Sequence, residues 1–312
     1  MTSRLAAVTG STGFLGRHLV PALTAAGWRV RALARRDPPA ALWGSAEPQI
    51  VRGDLADAAA LAALADGADL VIHAAGLIKA RSLADFMSVN EGGARGVAQA
   101  AKAAGARMVM VSSLAAREPG LSDYAASKRA GETAARQVLG DALTVVRPPA
   151  VFGPGDRETL GLFKLAAGWI VPLPGPPAAR VALVHVDDAI AAVLALLDQP
   201  DAHGTYAIGG ARPQGYSWRE IFEAGGRAVG KRPRLIATAP WMISVAAALS
   251  QRIGRLGGGA PIFTAGKANE VLHLDWSVTP AEQAPGAPAA TFDLEAGFAH
   301  AVAWYRSHGW LD

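Results

Sequence analysis

Tyr124 and Lys128 stand four residues apart in the run YAASK. On a helix that spacing puts both side chains on one face, about a turn from each other. An ammonium beside a phenol favours the phenolate, which brings the hydroxyl toward general acid/base work at a substrate oxygen. Taken alone, such a pair is a common surface contact. Shortly before it, the apolar run Arg107 to Val111 ends in Ser112 and Ser113. Two hydroxyls at the end of a buried parallel strand sit where ligands of open α/β sheets bind.

The elements that must position these groups begin at the N-terminal end, in LAAVTGSTGFLGRHLVPALTA from Leu5 to Ala25. An apolar strand breaks at Gly10, Gly13 and Gly16, and Leu15, Leu19, Val20 and Leu23 then resume at helical spacing. Strand, glycine turn and helix together form a dinucleotide-binding pattern, because backbone without Cβ can approach a pyrophosphate and the N–H groups opening the helix point at the anion. Gly10, Ser11, Thr12, Gly13, Phe14, Leu15 and Gly16 are the candidate contacts.

Further strands supply further contacts. Trp28 to Ala34 ends where such a fold reads the adenosine ribose, and it is followed by Arg35 and Arg36 rather than an acidic residue. An arginine fork suits a 2′-phosphate, which favours NADP(H) and leaves NAD(H) as the alternative, with Arg35 the better placed of the two. Pro48 to Leu55 ends in Asp54 and Leu55, a carboxylate for the adenine amino group and an apolar flank for its ring. Asp54 or Asp57 also serves as N-cap for the helix expected from Ala56 to Ala65. Asp69 to Ile72 ends in His73, Ala74, Ala75 and Gly76, the last three small enough to admit a cofactor, whereas His73 is assigned no chemistry. Asn90 lies inside a helix expected from Phe86 to Ala104, where an asparagine signals a bend or a bound water.

TGSTGFLG, GDL, HAAG, Asn90, the Ser pair and YAASK occur in an order that resembles the extended short-chain dehydrogenase/reductases. The resemblance covers residues 5 to about 190 and implies roles by position. Tyr124 is then the acid/base, Lys128 lowers its pKa and holds the nicotinamide ribose, and Ser113 bonds the substrate oxygen in preference to Ser112. Asn90 sits behind the catalytic site. RPPAVFGPGD, which follows a sixth strand from Thr144, implies a rigid exit loop with Pro148 and Val151 near the nicotinamide. Only the short loop LAAREPGLSD separates Ser113 from Tyr124, a departure from many relatives that leaves the substrate mouth more open or closed by another element.

Composition fits a soluble globular chain: 312 residues, 51% hydrophobic and 18% charged, with no cysteine and hence neither disulfides nor thiolate metal sites. No metal site is expected. The 30 basic and 26 acidic residues are scattered, which argues against nucleic acid as a partner. No basic-apolar leader precedes the first strand, and the apolar stretch Ala237 to Leu249 is too short to span a bilayer, so a cytoplasmic location without a transmembrane segment is expected. LFKLAAGWI and the proline-rich VPLPGPP, between Leu160 and Pro177, suit a substrate wall, a lid or a homodimer contact. A strand is expected from Val181 to Val186, with Asp187 and Asp188 capping the helix after it. Near the end, Leu294, Phe298, Val302 and Tyr305 recur on one helical face, a packing pattern.

The expected fold is therefore α/β, a doubly wound Rossmann-like parallel sheet with a second, smaller α/β substrate lobe. The dinucleotide-binding domain is expected over residues 1–152 plus 181–198, and the smaller lobe over 153–180 and 199–312. The expected reaction is reversible hydride transfer between a nicotinamide and a carbonyl or secondary alcohol, with a hydrophobic small-molecule substrate of the sterol-dehydrogenase or flavonoid-reductase kind. A nucleotide-sugar epimerase or dehydratase is the alternative enzyme, drawing on Arg157, Arg180, Arg212 and Arg219 to hold a pyrophosphate. A non-catalytic NADP(H)-binding subunit or sensor is the alternative of another class.

Overall fold

The computed structural model of the protein describes residues 4–39, 41–256 and 263–312. Its contacts divide into two compact units, Met1–Arg147 with Val193–Tyr206, and Pro148–Ala192 with Ala207–Asp312.

The first unit alternates strand and helix. Strand β1 (Leu5–Thr9) leads to α1 (Phe14–Ala25) and β2 (Arg29–Ala34), then to β3 (Gln49–Arg52), α2 (Ala58–Ala65) and β4 (Leu70–His73). A short helix α3 (Leu83–Phe86) precedes α4 (Gly93–Ala104), β5 (Arg107–Val111), α5 (Asp123–Leu139) and β6 (Thr144–Arg147). With Gly204–Ala207, which is β11 in chain order, these strands form one sheet in the order β11-β6-β5-β4-β1-β2-β3. Every pairing from β6 across to β3 is parallel. The order reverses between β1 and β4, the switch point at which open α/β sheets bind ligands. β1 and β4 are buried throughout, as strands covered on both faces must be, and their sequences LAAVT and LVIH read accordingly.

Local sequence explains the helices. Asp57 caps α2 by accepting from the Ala60 N–H at 2.9 Å, while Asp54 accepts from the Ala56 N–H at 2.9 Å in the turn before it. Ser122 caps α5 by accepting from Ala125 N–H at 3.0 Å. Gly105 ends α4 in the left-handed region at φ 67°, a conformation that costs glycine little.

One expected helix is not continuous. Between α3 and α4 the chain forms a π-helical turn, Met87–Gly92, that contains Asn90. The widened turn coincides with three hydrogen bonds of the Asn90 side chain, described below. A π-bulge of this kind concentrates at functional positions.

In the second unit, β7 (Ala150–Phe152) follows Pro148 and Pro149, which end β6. The sequence suggested only an exit loop here. Instead Val151 pairs with Val184 in β10 (Leu183–His185). The remaining elements are α6 (Leu160–Ala166), β8 (Ile170–Leu173), β9 (Arg180–Val181), α8 (Trp218–Ala228), β12 (Arg234–Ala237), α9 (Pro240–Leu256), α10 (Ala265–Leu272), β13 (Asp275–Trp276) and α11 (Leu294–Ser307). The single strand expected from Val181 to Val186 is split between β9, which pairs with β13, and β10, which pairs with β7. Helix α7 (Val186–Leu197) runs from the second unit into the first, and it starts early enough to enclose Asp187 and Asp188 in its first turn. Carboxylates are favourable there, and that of Asp188 also accepts from Thr291 N–H and Phe292 N–H at 2.8 and 3.1 Å. The core of this unit is aromatic: Phe298 of α11 meets Phe152 and Phe163 edge-on, with centroids 5.0 and 4.9 Å away. Leu294, Phe298, Val302 and Tyr305 are all buried, as their spacing required.

Candidate active site

The glycine turn is built from close backbone approach. Gly10 has φ 73°, and a Cβ there would lie 2.6 Å from the Ala74 carbonyl carbon at the end of β4. At Gly16 a Cβ would lie 2.1 Å from the Gly10 oxygen. Substitution at either position must push backbone apart. Ser11 is buried and braces the turn, its hydroxyl donating to Leu33 O at 3.2 Å while its carbonyl accepts from Trp43 Nε1 at 3.0 Å. Helix α1 begins at Gly13 without a side-chain cap and without an acidic residue in its first turn. Its leading N–H groups therefore keep their partial positive charge for an anion.

Thr12, Arg35 and Arg36 line one cleft of about 510 Å³ together with Asp37, Pro38 and Pro39. The carboxylate of Asp37 is engaged by Arg52 through two hydrogen bonds. Both Arg35 and Arg36 are exposed, and among the described residues no carboxylate pairs with either. The first glycine turn and an unpaired cationic pair thus meet at the sheet edge.

At the end of β4, Ala74 and Ala75 are half-buried and Gly76 is exposed, while His73 turns inward. Its Nδ1 lies 2.7 Å from Thr9 Oγ1, and burial, aided by the Lys128 charge, lowers its pKa to about 3. His73 is thus a neutral core histidine with a satisfied ring nitrogen.

Asn90 ties three segments together. Its Oδ1 accepts from Leu77 N–H at 2.7 Å, and its Nδ2 donates to Leu77 O at 3.0 Å and to Ser127 Oγ at 2.8 Å. The loop after β4 is thereby fixed to α5. Gly131 lets α5 approach, since a Cβ there would sit 2.5 Å from Asn90 O. A Cβ on Gly76 would lie 3.0 Å from Asn90 Oδ1 and 3.6 Å from Lys128 Nζ, so these three residues are neighbours.

Tyr124 and Lys128 both lie on α5, one turn apart. Lys128 is buried and donates to Val111 O at 3.1 Å. Burial lowers its pKa to about 8, against the opposing pull of the Glu132 carboxylate. Glu132 itself is buried and held by Arg147 of β6 through hydrogen bonds of 2.8 and 2.5 Å. Tyr124 is half-buried, its ring tilted against Phe86 at 6.2 Å. At the end of β5, Ser113 Oγ accepts from Ala115 N–H at 3.2 Å and caps a short 3₁₀ turn, Leu114–Arg117. Ser112 Oγ is buried with no hydrogen-bond partner among the described residues. An orphaned hydroxyl beside the strand end is costly unless a ligand atom satisfies it.

These candidate contacts all lie on segments of the first unit: the turn from Gly10 to Gly16, Arg35 and Arg36, Asp54 and Leu55, Ala74 to Gly76, Asn90, Ser112, Ser113, Tyr124 and Lys128. Pro148 and Val151 lie in the second unit, the former buried and the latter half-buried in β7. The residue that sequence reasoning missed is Arg147, which orients Glu132 behind Lys128. Its signal was present, an arginine at the end of an otherwise apolar strand.

Of the arginines considered for a pyrophosphate, Arg212 pairs with Glu220 at 2.5 Å and Arg219 with Glu223 at 3.6 Å. Arg180 donates to Ala179 O at 3.0 Å, and Arg157 stacks over the Trp310 ring at 5.1 Å. Among the described residues one group resembles a metal site: His185, Asp187 and His300, whose ligand atoms lie within 4.8 Å of one another. Ring stacking and hydrogen bonds account for it. His185 accepts from Asp187 N–H through Nδ1, faces His300 Nδ1 at 3.3 Å through Nε2, and stacks on Phe292.

Residues 6–209 match the NAD dependent epimerase/dehydratase family. The chain belongs to that family. It is accordingly an NAD(P)-dependent oxidoreductase of the extended short-chain type. The chain is 50% identical over 305 residues to a ceramide reductase of Caulobacter vibrioides (strain NA1000 / CB15N), covering 98% of this chain and 95% of that one. It is 32% identical over 171 residues to sterol demethylase protein B of Methylococcus capsulatus (strain ATCC 33009 / NCIMB 11132 / Bath), about half of each chain. The crystal structure of dTDP-glucose 4,6-dehydratase from Streptomyces venezuelae, with NAD bound, superposes with TM-score 0.73 at 24% identity over 99% of both chains. That likeness is one of fold. Among the described residues no helix is long and apolar enough to cross a membrane.

Proposed function

We propose that this protein is an NADPH-dependent reductase acting on a carbonyl of a ceramide-like long-chain lipid, with Tyr124 as the acid that protonates the substrate oxygen. The observation that carries this reading is the buried Lys128 one turn from Tyr124, its pKa lowered to about 8 and its Nζ against Val111 O beside the Ser112 strand end. An ammonium there stabilises the tyrosinate left behind after proton transfer.

The residues fit a dinucleotide. Uncapped amides at the start of α1 and the turn closed by Gly10 and Gly16 take the pyrophosphate, Arg35 and Arg36 take a 2′-phosphate, and Asp54 with Leu55 flank the adenine. The nicotinamide, when bound, supplies the hydride. Lys128 orients the ribose and tunes Tyr124, while Asn90 holds the Leu77 loop and α5 in register. Ser113 uses its hydroxyl only as an acceptor in its cap, which leaves the proton free to donate to the substrate oxygen. Ser112, orphaned and buried, adds a second donor at the same edge. Pro148 and Val151 are the proposed nicotinamide contacts from the following segment.

The substrate class rests on the near full-length similarity to the Caulobacter ceramide reductase and on apolar side chains along the Leu77 loop and α3. Ile78 is 57% and Leu83 42% exposed, and Phe86 touches Tyr124. The second reading, a nucleotide-sugar enzyme, would have to draw its arginines out of existing contacts, with Glu220, Glu223, the Ala179 carbonyl and the Trp310 ring. The test is NADPH consumption with a keto-ceramide in mixed micelles against nucleotide sugars. Turnover of the lipid ketone alone is expected, and turnover of the sugar alone would overturn the assignment.

A further inference from the structure

Among the described residues the second unit exposes apolar side chains on its β8/β12 segment and on α9 that its own packing does not use. In the β8/β12 pair, Val171, Leu173 and Leu235 pack inward near Phe222, whereas Ile170 and Ile236 face out, 58% and 44% exposed. Trp169, just before β8, is 92% exposed, and its carbonyl accepts from Arg234 N–H at 2.8 Å. Two residues after β12 the chain enters α9, whose inner side, Ile243 and Ala247, packs against Ala268 of α10. Its outer side carries Trp241, Val245 and Leu249, 67%, 49% and 55% exposed, and α9 holds no charged residue before Arg252. An amphipathic helix normally turns polar side chains outward, so a helix apolar on both sides needs something to cover it.

The charges say what covers it. No aspartate or glutamate occurs between Glu223 and Glu270, a stretch that holds seven Lys and Arg residues. Between Glu158 and Asp187 there is again no acidic residue, while Lys164 and Arg180 are present. Both segments that build the face are therefore apolar in the middle, basic at the margins and free of anions. Exposed tryptophans with flanking cations match the headgroup region of an anionic bilayer, where the indole sits at the polar boundary and the cations meet lipid phosphates. A second copy of the same face would bring like charges together.

We propose that the exposed apolar side chains of the β8/β12 segment, Trp169, Ile170 and Ile236, and those of α9, Trp241, Val245 and Leu249, together form a face that docks the protein peripherally on an anionic lipid surface. The proposal deepens the lipid-reductase reading and rests on it for what the surface holds: a substrate with long acyl chains resides in the bilayer, so an enzyme lying on that bilayer takes it up without transfer through water.

The test uses the full-length protein and vesicles of phosphatidylcholine, with or without phosphatidylglycerol. Wild type is expected to co-sediment with the phosphatidylglycerol vesicles at least tenfold better than with the neutral ones, to be released by salt, and to show a blue shift of tryptophan emission on binding. Trp241→Glu/Leu249→Glu, at exposed positions, is expected to lose at least tenfold in vesicle binding while reducing a short-chain soluble ketone within twofold of wild type. Equal vesicle binding by wild type and variant would overturn the proposal. So would wild type that ignores lipid yet self-associates in lipid-free buffer, with the association lost in the variant, because the face would then belong to a second copy. Vesicle binding without turnover of any long-chain ketone would uphold the docking face and remove the lipid-reductase reading. Turnover of a micellar ketone without vesicle binding would do the reverse.

Discussion

The two units spend their surfaces differently. Of the eleven large hydrophobic side chains exposed among the described residues, two, Ile78 and Leu83, lie in the first unit and nine in the second. The first unit places small residues, backbone amides and paired charges at the ends of its strands, because any dinucleotide and any carbonyl make the same demands there. The second unit turns tryptophan, isoleucine and leucine outward, demands that only a particular substrate or surface makes.

That contrast can be broken by substitution. In the first unit Tyr124→Phe removes the proton donor, and kcat is expected to fall about 10²–10⁴-fold, the range of general acid/base catalysis. Dinucleotide affinity, read by fluorescence titration, should stay within about threefold. Gly10→Ala combines left-handed strain at φ 73° with backbone overlap at Ala74, and is expected to cost about 3 kcal/mol of stability or more. Gly27→Ala is the control. Its φ of 82° is similar but nothing lies within 4 Å, so about 1 kcal/mol is expected from the same denaturant titrations.

Arg35→Ala/Arg36→Ala should weaken NADPH about 10–100-fold, as lost charge-assisted hydrogen bonds of about 1.5–3 kcal/mol imply, and leave NADH almost unchanged. Equal losses for both dinucleotides would deny these arginines the phosphate. The Trp241→Glu/Leu249→Glu protein should bind NADPH as wild type does, which sharpens the division between units.

A further effect, one that depends on pH, concerns Lys128. Folding lowers its pKa from 10.5 to about 8, mainly through burial. Between these values the unfolded chain holds more protons, so stability rises with pH across that window, and below about pH 8 the full cost of burying the charge is present. Lys128→Met removes that cost. Without dinucleotide, the variant's Tm should exceed that of wild type most at pH 7, and the difference should shrink as the pH approaches 10.5. A difference independent of pH would mean the lysine titrates normally.

The first unit was legible because its local signals agree. Apolar runs of four to six residues end in glycine, arginine or serine, and YAASK follows them on a helix. Less legible was what depends on distant partners. Asn90 read as a helical residue, but its bonds to Leu77 and Ser127, 13 and 37 residues away, accompany a π-turn. Ser113 read as the better substrate contact of the serine pair, yet it caps the next turn, and the unsatisfied hydroxyl belongs to Ser112. In the second unit β7 was hidden because two prolines before it read as loop, and its partner strand lies more than thirty residues downstream. The outward face of α9 carries the same residue types as a buried helix, so only exposure distinguishes the two.

The central claim is that hydride passes from a dinucleotide held by the glycine turn to a carbonyl whose oxygen Tyr124 protonates. Its most direct measurement follows deuterium from NADPH labelled at nicotinamide C4, with each face labelled in turn, into the alcohol formed from a keto-ceramide, by mass spectrometry. The account predicts one deuterium in the product from one face only, and no labelled product above background from the Tyr124→Phe protein. Labelled alcohol formed by that variant at the wild-type rate, or alcohol formed by wild type with no label from either face, would contradict it.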